Sequence, residues 1–352
     1  MFKFEEVCRD PTCTIDRSTG IERLASFELR LEDCSSLESL PNNLCMFKSL
    51  ASLEIINCPK LERLPDELGN SKALEELRVE GAAIREVPES LSQLALLSTL
   101  VLKNCSELEY ISSNIFKLKS SIYIEISNCS NLKSFPKIPS CYIDGSTGIE
   151  RPSSSRLRLE KCSSLVSLSS SLCMLKSLSS LQIIDCKKLE RLPESLGQLA
   201  LLCELKMIKC SSFESLPSSL CMLKYLTSLA IIDCKNFKRL PNELGNLKCL
   251  VVLIVKGTAI REVPESLGQL SSIVRLDLSN NNLERTPASL YQLSSIKYLK
   301  LFDNNFKHRL LTLSVDLNLV PNVLSEIIND RWRKLVCLLT HSFYSIFFFF
   351  LL

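Results

Sequence analysis

The chain has 352 residues, of which 46% are hydrophobic and 23% charged, so it can bury a large core and lacks the composition of a disordered segment. Lys and Arg total 42 against 39 Asp and Glu, a net charge of +3, which argues against a dedicated nucleic-acid binder. There are two histidines and nine glycines, and no glycine falls in a phosphate-cradling GxGxxG or GxxxxGK[ST] loop, so most His-based chemistry and the common nucleotide folds are excluded.

The opening MFKFEEVCRDPTCT has no apolar core of a secretory signal. Residues 1–23 are expected to be a lead-in or partial repeat of a protein in the cytoplasm, with the nucleus a second compartment. The 17 cysteines should then be reduced, and no CxxC or zinc-like pairing occurs among them.

Their spacing carries the main signal. Cys34, Cys58, Cys105, Cys129, Cys162, Cys186, Cys210 and Cys234 recur every 24 residues, apart from gaps of 47 and 33. Aligned on them, the chain reads LxxLxLxxCxxLxxLPxxLxxLxx, which residues 178–201 follow throughout. About twelve units of 23–24 residues fit, and Asn281 and Asn304 take the cysteine slot in the last two. LxLxxN is the strand and turn of a leucine-rich repeat. No single unit buries its own leucines, so the units should stack into an α/β, right-handed solenoid (a horseshoe) with a parallel sheet on its concave face. Strands are expected over residues such as 181–183, 205–207, 229–231 and 253–255.

In chain order, residues 24–136 form a first repeat block, 137–153 an interrupting loop and 154–310 a second block. The stretch IDRSTGIER (15–23) returns as IDGSTGIER (143–151), and Cys34 and Cys58 map onto Cys162 and Cys186 at the same offset of 128, so a block of five units is duplicated. Residues 311–335 begin a post-repeat region, and 336–352 form an apolar tail. The run from 335 to 352 has the minimum length of a membrane span and follows Arg331, Arg333 and Lys334. A tail anchor and a translated intron are both open readings, and the second is preferred.

The phrases IIDCKKLERLPESLGQL (183–199), GTAIREVPESLGQL (257–270) and LDLSNNNLERTPASL (276–290) resemble the leucine-rich-repeat region of plant TIR-type nucleotide-binding leucine-rich-repeat (NLR) disease resistance proteins. LSVDLNLVPNVLSEIINDRWRKL (313–335) is similar to the start of their post-repeat region. No TIR, nucleotide-binding or jelly-roll domain is recognisable here, so the resemblance is to a truncated receptor. It implies an intracellular module that senses a ligand or restrains the receptor in plant defence and signal transduction. Its partners would be proteins: a pathogen effector, or the receptor's own or a related nucleotide-binding domain.

Solenoids bind on the concave face. There the residues flanking the strand leucines should point outward. These include Arg156 and Arg158, then Gln182 with Ile184, Lys206 with Ile208, Ala230 with Ile232, and Val252 with Ile254. The isoleucines at 184, 208, 232 and 254 are expected to share one slot on four adjacent strands, an apolar stripe suited to protein contact. Cover by a neighbouring segment, or a mere echo of duplication, would explain it equally. Catalytic, cofactor-binding and metal residues are expected to be absent, because no nucleophile–base pair or metal-ligand set is found. A stand-alone intracellular scaffold or adaptor, with the tail as anchor, is the alternative function.

Overall fold

The computed structural model describes residues 14–16, 27–112, 115, 118, 122–134, 154–285 and 288–306. The post-repeat region, the apolar tail and residues 137–153 lie outside the described residues.

One unit shows how the sequence makes the fold. In 178–201, extended backbone alternates its side chains, so Leu181 and Ile183 are buried while Gln182 and Ile184 face out. Asp185 then adopts a left-handed conformation (φ 53) that turns the chain out of the strand, and Cys186, Leu189 and Leu192 drop back into the core. Pro193, with φ of −70, leads into a 3-10 helix at Glu194–Gln198 whose Leu196 is buried. Leu196 N donates to Pro193 O at 3.0 Å, and Leu199 N to Leu196 O at 3.1 Å. The chain returns to the next strand through Leu202, also buried. Return segments of this length accommodate a single 3-10 turn. The helical half of the expected architecture is accordingly made of such turns, and no α-helix occurs among the described residues.

The strands are β1 (Thr14–Asp16), β2 (Phe27–Glu32), β3 (Leu50–Ile56), β4 (Glu76–Glu80), β5 (Glu86–Val87), β6 (Thr99–Lys103), β7 (Tyr110–Ile111) and β8 (Tyr123–Ser127). They continue with β9 (Ser155–Glu160), β10 (Leu178–Ile184), β11 (Glu204–Ile208), β12 (Ser228–Ile232), β13 (Val252–Lys256), β14 (Arg275–Asp277) and β15 (Tyr298–Lys300). All except β5 and β7 form one 13-stranded sheet in chain order. From β2 to β15 it is parallel, which makes a leucine-rich-repeat solenoid. Strand β1 runs antiparallel to β2 (Thr14 opposite Glu32) and covers the edge that the first repeat would otherwise leave unpaired. Residues 181–183, 205–207, 229–231 and 253–255 all lie within strands of this sheet.

The sheet does not break between the two blocks. Strand β8 pairs directly with β9, from Tyr123 opposite Arg156 to Ser127 opposite Glu160. The duplication is visible in the backbone. Register shifts beside Phe27 and Glu28, where β2 meets β3, and the same shift recurs 128 residues later where β9 meets β10. Ala51 and Ser179 are the extra residues of these bulges.

The core is one continuous column of leucines, isoleucines and the repeated cysteines. All eight ladder cysteines are fully buried. Their sulfurs lie near backbone carbonyls of their own turn and, in several units, of the preceding strand: Cys186 Sγ is 3.7 Å from Ile184 O and 3.9 Å from Leu159 O. Cys34 departs from the expectation of a reduced ladder, being disulfide-bonded, whereas the other seven are free thiols. Hydrogen bonding to a neighbouring thiol, followed by burial, pushes the Cys105, Cys162 and Cys234 thiols up in pKa. Cys45 and Cys221 on the returning segments are buried fillers, while Cys173 is partly exposed. No described helix is long and apolar enough to cross a membrane.

Candidate interaction surface

Each concave strand presents three outward rows, fixed by its pairing with the next. Arg156, Ser180, Glu204, Ser228 and Val252 share the first row. Arg158, Gln182, Lys206, Ala230 and Ile254 share the second. Glu160, Ile184, Ile208, Ile232 and Lys256 share the third.

This register corrects the expected stripe. Ile184, Ile208 and Ile232 do line up, but Lys256 occupies their row on β13. Ile254 stands one row back, opposite Ala230. The physical reason is that Leu253 and Val255 pair with Leu229 and Ile231 in the core, and that pairing sets the register. A two-residue slip keeps a side chain on the same face and changes only its row. The apolar patch is therefore a bent band: Ile184, Ile208 and Ile232 run across β10 to β12 at the strand ends, and on β13 it turns back along the strand through Ile254 in the middle row to Val252 in the first, with all five partly exposed. Ala230 is buried at the floor of the band.

The other sequence-predicted residues belong to a polar network. Arg158 bridges Glu125 (3.9 Å) and Glu160, and its Nη1 donates to Gln182 Oε1 at 3.1 Å. Gln182 Nε2 donates to Glu204 Oε2 at 3.0 Å, Ser180 Oγ donates to the same oxygen at 2.6 Å, and Lys206 pairs with Glu204 at 3.3 Å. Burial works to raise the Glu204 pKa, but the hydrogen bonds from Ser180 and Gln182 and the charge of Lys206 outweigh it, and the net shift is downward. Lys206 is thus committed to an intramolecular partner. Arg156 is exposed, beside Tyr123 and Ser180, in a shallow cleft with Arg158 and Gln182. Tyr123 donates to Glu125 at 2.9 Å, and burial followed by that contact raises the phenol's pKa.

Toward the first strands the face is mostly charged and largely self-paired, with Ile56 the apolar residue of the third row on β3. Arg30 meets Glu32 (3.0 Å) and Glu54 (2.9 Å), and Arg78 meets Glu54 (3.5 Å) and Glu76 (3.4 Å). Among the described residues no group of three His, Cys, Asp or Glu side chains is placed to hold a metal ion.

One functional row was missed from the sequence. The residue before each ladder position adopts a left-handed backbone: Asp33, Asn57, Gly81, Asn104, Asn128, Lys161, Asp185, Lys209, Asp233, Gly257, Asn280 and Asp303. All but two are Asp, Asn or Gly, the types that tolerate this region, and that bias was readable beforehand. These turns end every strand at the same height and so define the rim of the face.

No family model matches the chain. A search of curated proteins finds the probable disease resistance protein At4g19520 of Arabidopsis thaliana, 31% identical over 212 residues, which are 51% of this chain and 12% of that protein. Over about half its length the chain is a homologue of plant disease resistance proteins. Disease resistance protein RPS4B of Arabidopsis thaliana is 33% identical over 186 residues, 50% of this chain and 16% of the relative. The chain thus spans less than a fifth of the length of either of these relatives. Among solved structures, the leucine-rich-repeat protein LIC12759 of Leptospira interrogans gives a TM-score of 0.46 at 20% identity, covering 78% of this chain and 71% of the other.

Proposed function

We propose that the chain works by binding protein through its concave face, as the ligand-sensing or autoinhibitory leucine-rich-repeat module of a plant intracellular immune receptor. The band of Ile184, Ile208, Ile232, Ile254 and Val252 carries this reading. Contiguous partly exposed isoleucines on a concave sheet mark a contact site. The homology to disease resistance proteins supports the setting in defence. In this reading the two repeat blocks, 24–136 and 154–310, act as one cytoplasmic binding module without catalysis of its own. The partner is a pathogen effector or a nucleotide-binding domain of the receptor itself or a related one, with neither nucleic acid nor membrane in the contact.

Covering the band contributes several kcal/mol at about 25 cal/mol per Å² of apolar area, before the cost of association. The test is the double variant Ile208→Asp/Ile232→Asp, assayed by co-precipitation with candidate effectors and nucleotide-binding domains. Binding should be lost with the circular dichroism spectrum unchanged, because both side chains point away from the core. Undiminished binding would remove the band as the site.

A further inference from the structure

We propose that the concave band takes an amphipathic α-helix whose apolar stripe is flanked by acidic residues, laid diagonally across β10 to β13. This rests on the reading of the concave face as a protein-contact surface and names what that surface recognises.

Three observations carry it. The first is the shape of the patch. The bent band has its ends at Ile184 on β10 and Val252 on β13, three strand spacings and both row intervals apart, and a helix about 10 Å wide that joins them covers Ile208, Ile232 and Ile254 along one side. At about 4.8 Å per strand and about 3.3 Å per residue the diagonal is about 20 Å. About 13 residues of α-helix, at 1.5 Å each, span that length.

The second is what the face does not offer. Each of β10 to β13 is paired on both sides within the sheet. Its backbone donors and acceptors are therefore committed, and a ligand meets side chains only. An extended segment pressed onto isoleucines would bury its own N–H and C=O groups without partners, a loss of the kind that proteins avoid. A helix satisfies its backbone internally and can present an apolar stripe to the band.

The third is charge. On β9 to β15 the acids of the face are engaged: Glu160 with Arg158, Glu204 with Lys206, and Asp277 as acceptor from Ser279. Arg156, Lys256, Arg275 and Lys300 are in no ion pair among the described residues. Arg156 lies to one side of the band and Lys256 to the other, with Arg275 beyond its Val252 end. Uncommitted cations around an apolar centre select acidic flanks on the occupant.

The experiment pans the full chain against two displayed peptide libraries of about 14 residues, one built on a helix-forming frame and one interrupted by prolines so that it stays extended. Binders should come from the helical library, with apolar positions at i, i+3 or i+4, and i+7, and with Asp or Glu beside them. Each should weaken at least about tenfold on Ile208→Asp, a difference of about 1.4 kcal/mol. Affinity should hold on Met222→Asp, which alters an exposed residue of a returning segment. Selection on Lys256→Glu should replace acidic flanking residues by basic ones, a readout that survives if Ile208→Asp proves poorly folded. Binders only from the extended library, helices without acidic preference, binding indifferent to Ile208→Asp, or no binders at all would each overturn the inference. If candidate receptor domains are lost on Ile208→Asp/Ile232→Asp but no acidic helix is selected, the helix reading fails and the contact surface stands. If acidic helices bind but those domains bind the double variant undiminished, the reverse holds.

Discussion

Two stretches of the solenoid solve one packing problem with different chemistry. From Cys34 to Cys234 the slot after each strand is filled mainly by a thiol, and at the far end by Asn281 and Asn304. The amides are tightly bound: Asn281 Nδ2 donates to Val255 O at 2.6 Å and Leu278 O at 2.9 Å, while its Oδ1 accepts from Thr258 N at 2.9 Å. Asn304 repeats the pattern with Leu278 O, Leu301 O and Leu283 N. The thiols sit near the equivalent carbonyls at much longer range, as with Cys129 Sγ at 3.8 Å from Leu102 O and 3.5 Å from Ser127 O. Asparagine thus binds neighbouring turns by directional bonds. Cysteine fills the same slot chiefly as a small apolar group with a weak donor. The slot demands burial in every unit, and strong hydrogen bonding only where an amide has been installed.

The largest effect is expected where the bonds are strongest. Asn281→Ala leaves Val255 O, Thr258 N and Thr258 Oγ1 buried and short of a partner, while Leu278 O keeps its bond from Asn304. At about 1–3 kcal/mol for each group left unsatisfied, a loss of about 3 kcal/mol or more is expected, read as a lower urea midpoint. A loss below about 1 kcal/mol would mean that the amide is as dispensable as a thiol, and the contrast between the two stretches would collapse.

A middle-sized effect tests the thiol side. Cys186→Ser puts a hydroxyl into a fully buried apolar slot where the nearest carbonyls lie at thiol distances. The expected cost is about 1–3 kcal/mol. In the native protein Cys186 should also resist a thiol reagent until denaturant is added, whereas exposed Cys249 reacts at once. Rapid native labelling of Cys186 would show that the ladder opens to solvent, and a neutral Ser substitution would show that its sulfur acts as an ordinary hydrogen-bond donor.

The fold was legible because the repeat imposes one pattern many times. The Leu and Cys periodicity located the four strands named in the second block, since the residues that period-two alternation assigns to the core are buried there. The row of each outward residue was less legible. Ile254 belongs beside Ala230, and only the pairing of Leu253 with Leu229 fixes this. Sequence alternation assigns a side of the sheet but not a position along it. The engagement of Lys206 by Glu204, and the freedom of Arg156 from any ion pair among the described residues, depend on side-chain geometry that no spacing encodes. The 3-10 returns follow from unit length, and the proline before most of them was already visible as the LP step.

The smallest expected effect sharpens the comparison from the turn beside the slot. Every ladder position follows a left-handed residue, and the amide-bearing end uses Asn280 and Asp303 there. Within the thiol stretch, Lys161 (φ 51) and Lys209 (φ 55) hold the same conformation without a short polar side chain to favour it. Lysine meets a steric penalty in this region that asparagine largely escapes. Lys209→Asn should therefore stabilise the protein by about 0.5–1 kcal/mol, raising the urea midpoint with an unchanged slope. An asparagine there also has a ready neighbour pattern, since Asn128 Nδ2 donates to Asn104 Oδ1 at 2.9 Å and Asn57 Nδ2 to Asp33 Oδ1 at 3.1 Å across successive turns. The opposite exchange, Asn104→Lys, breaks that pattern and should lose a similar amount. If Lys209→Asn instead destabilises, the lysine contributes something beyond backbone strain, and the rim of the thiol stretch is held by its charges rather than by the conformation of its turns.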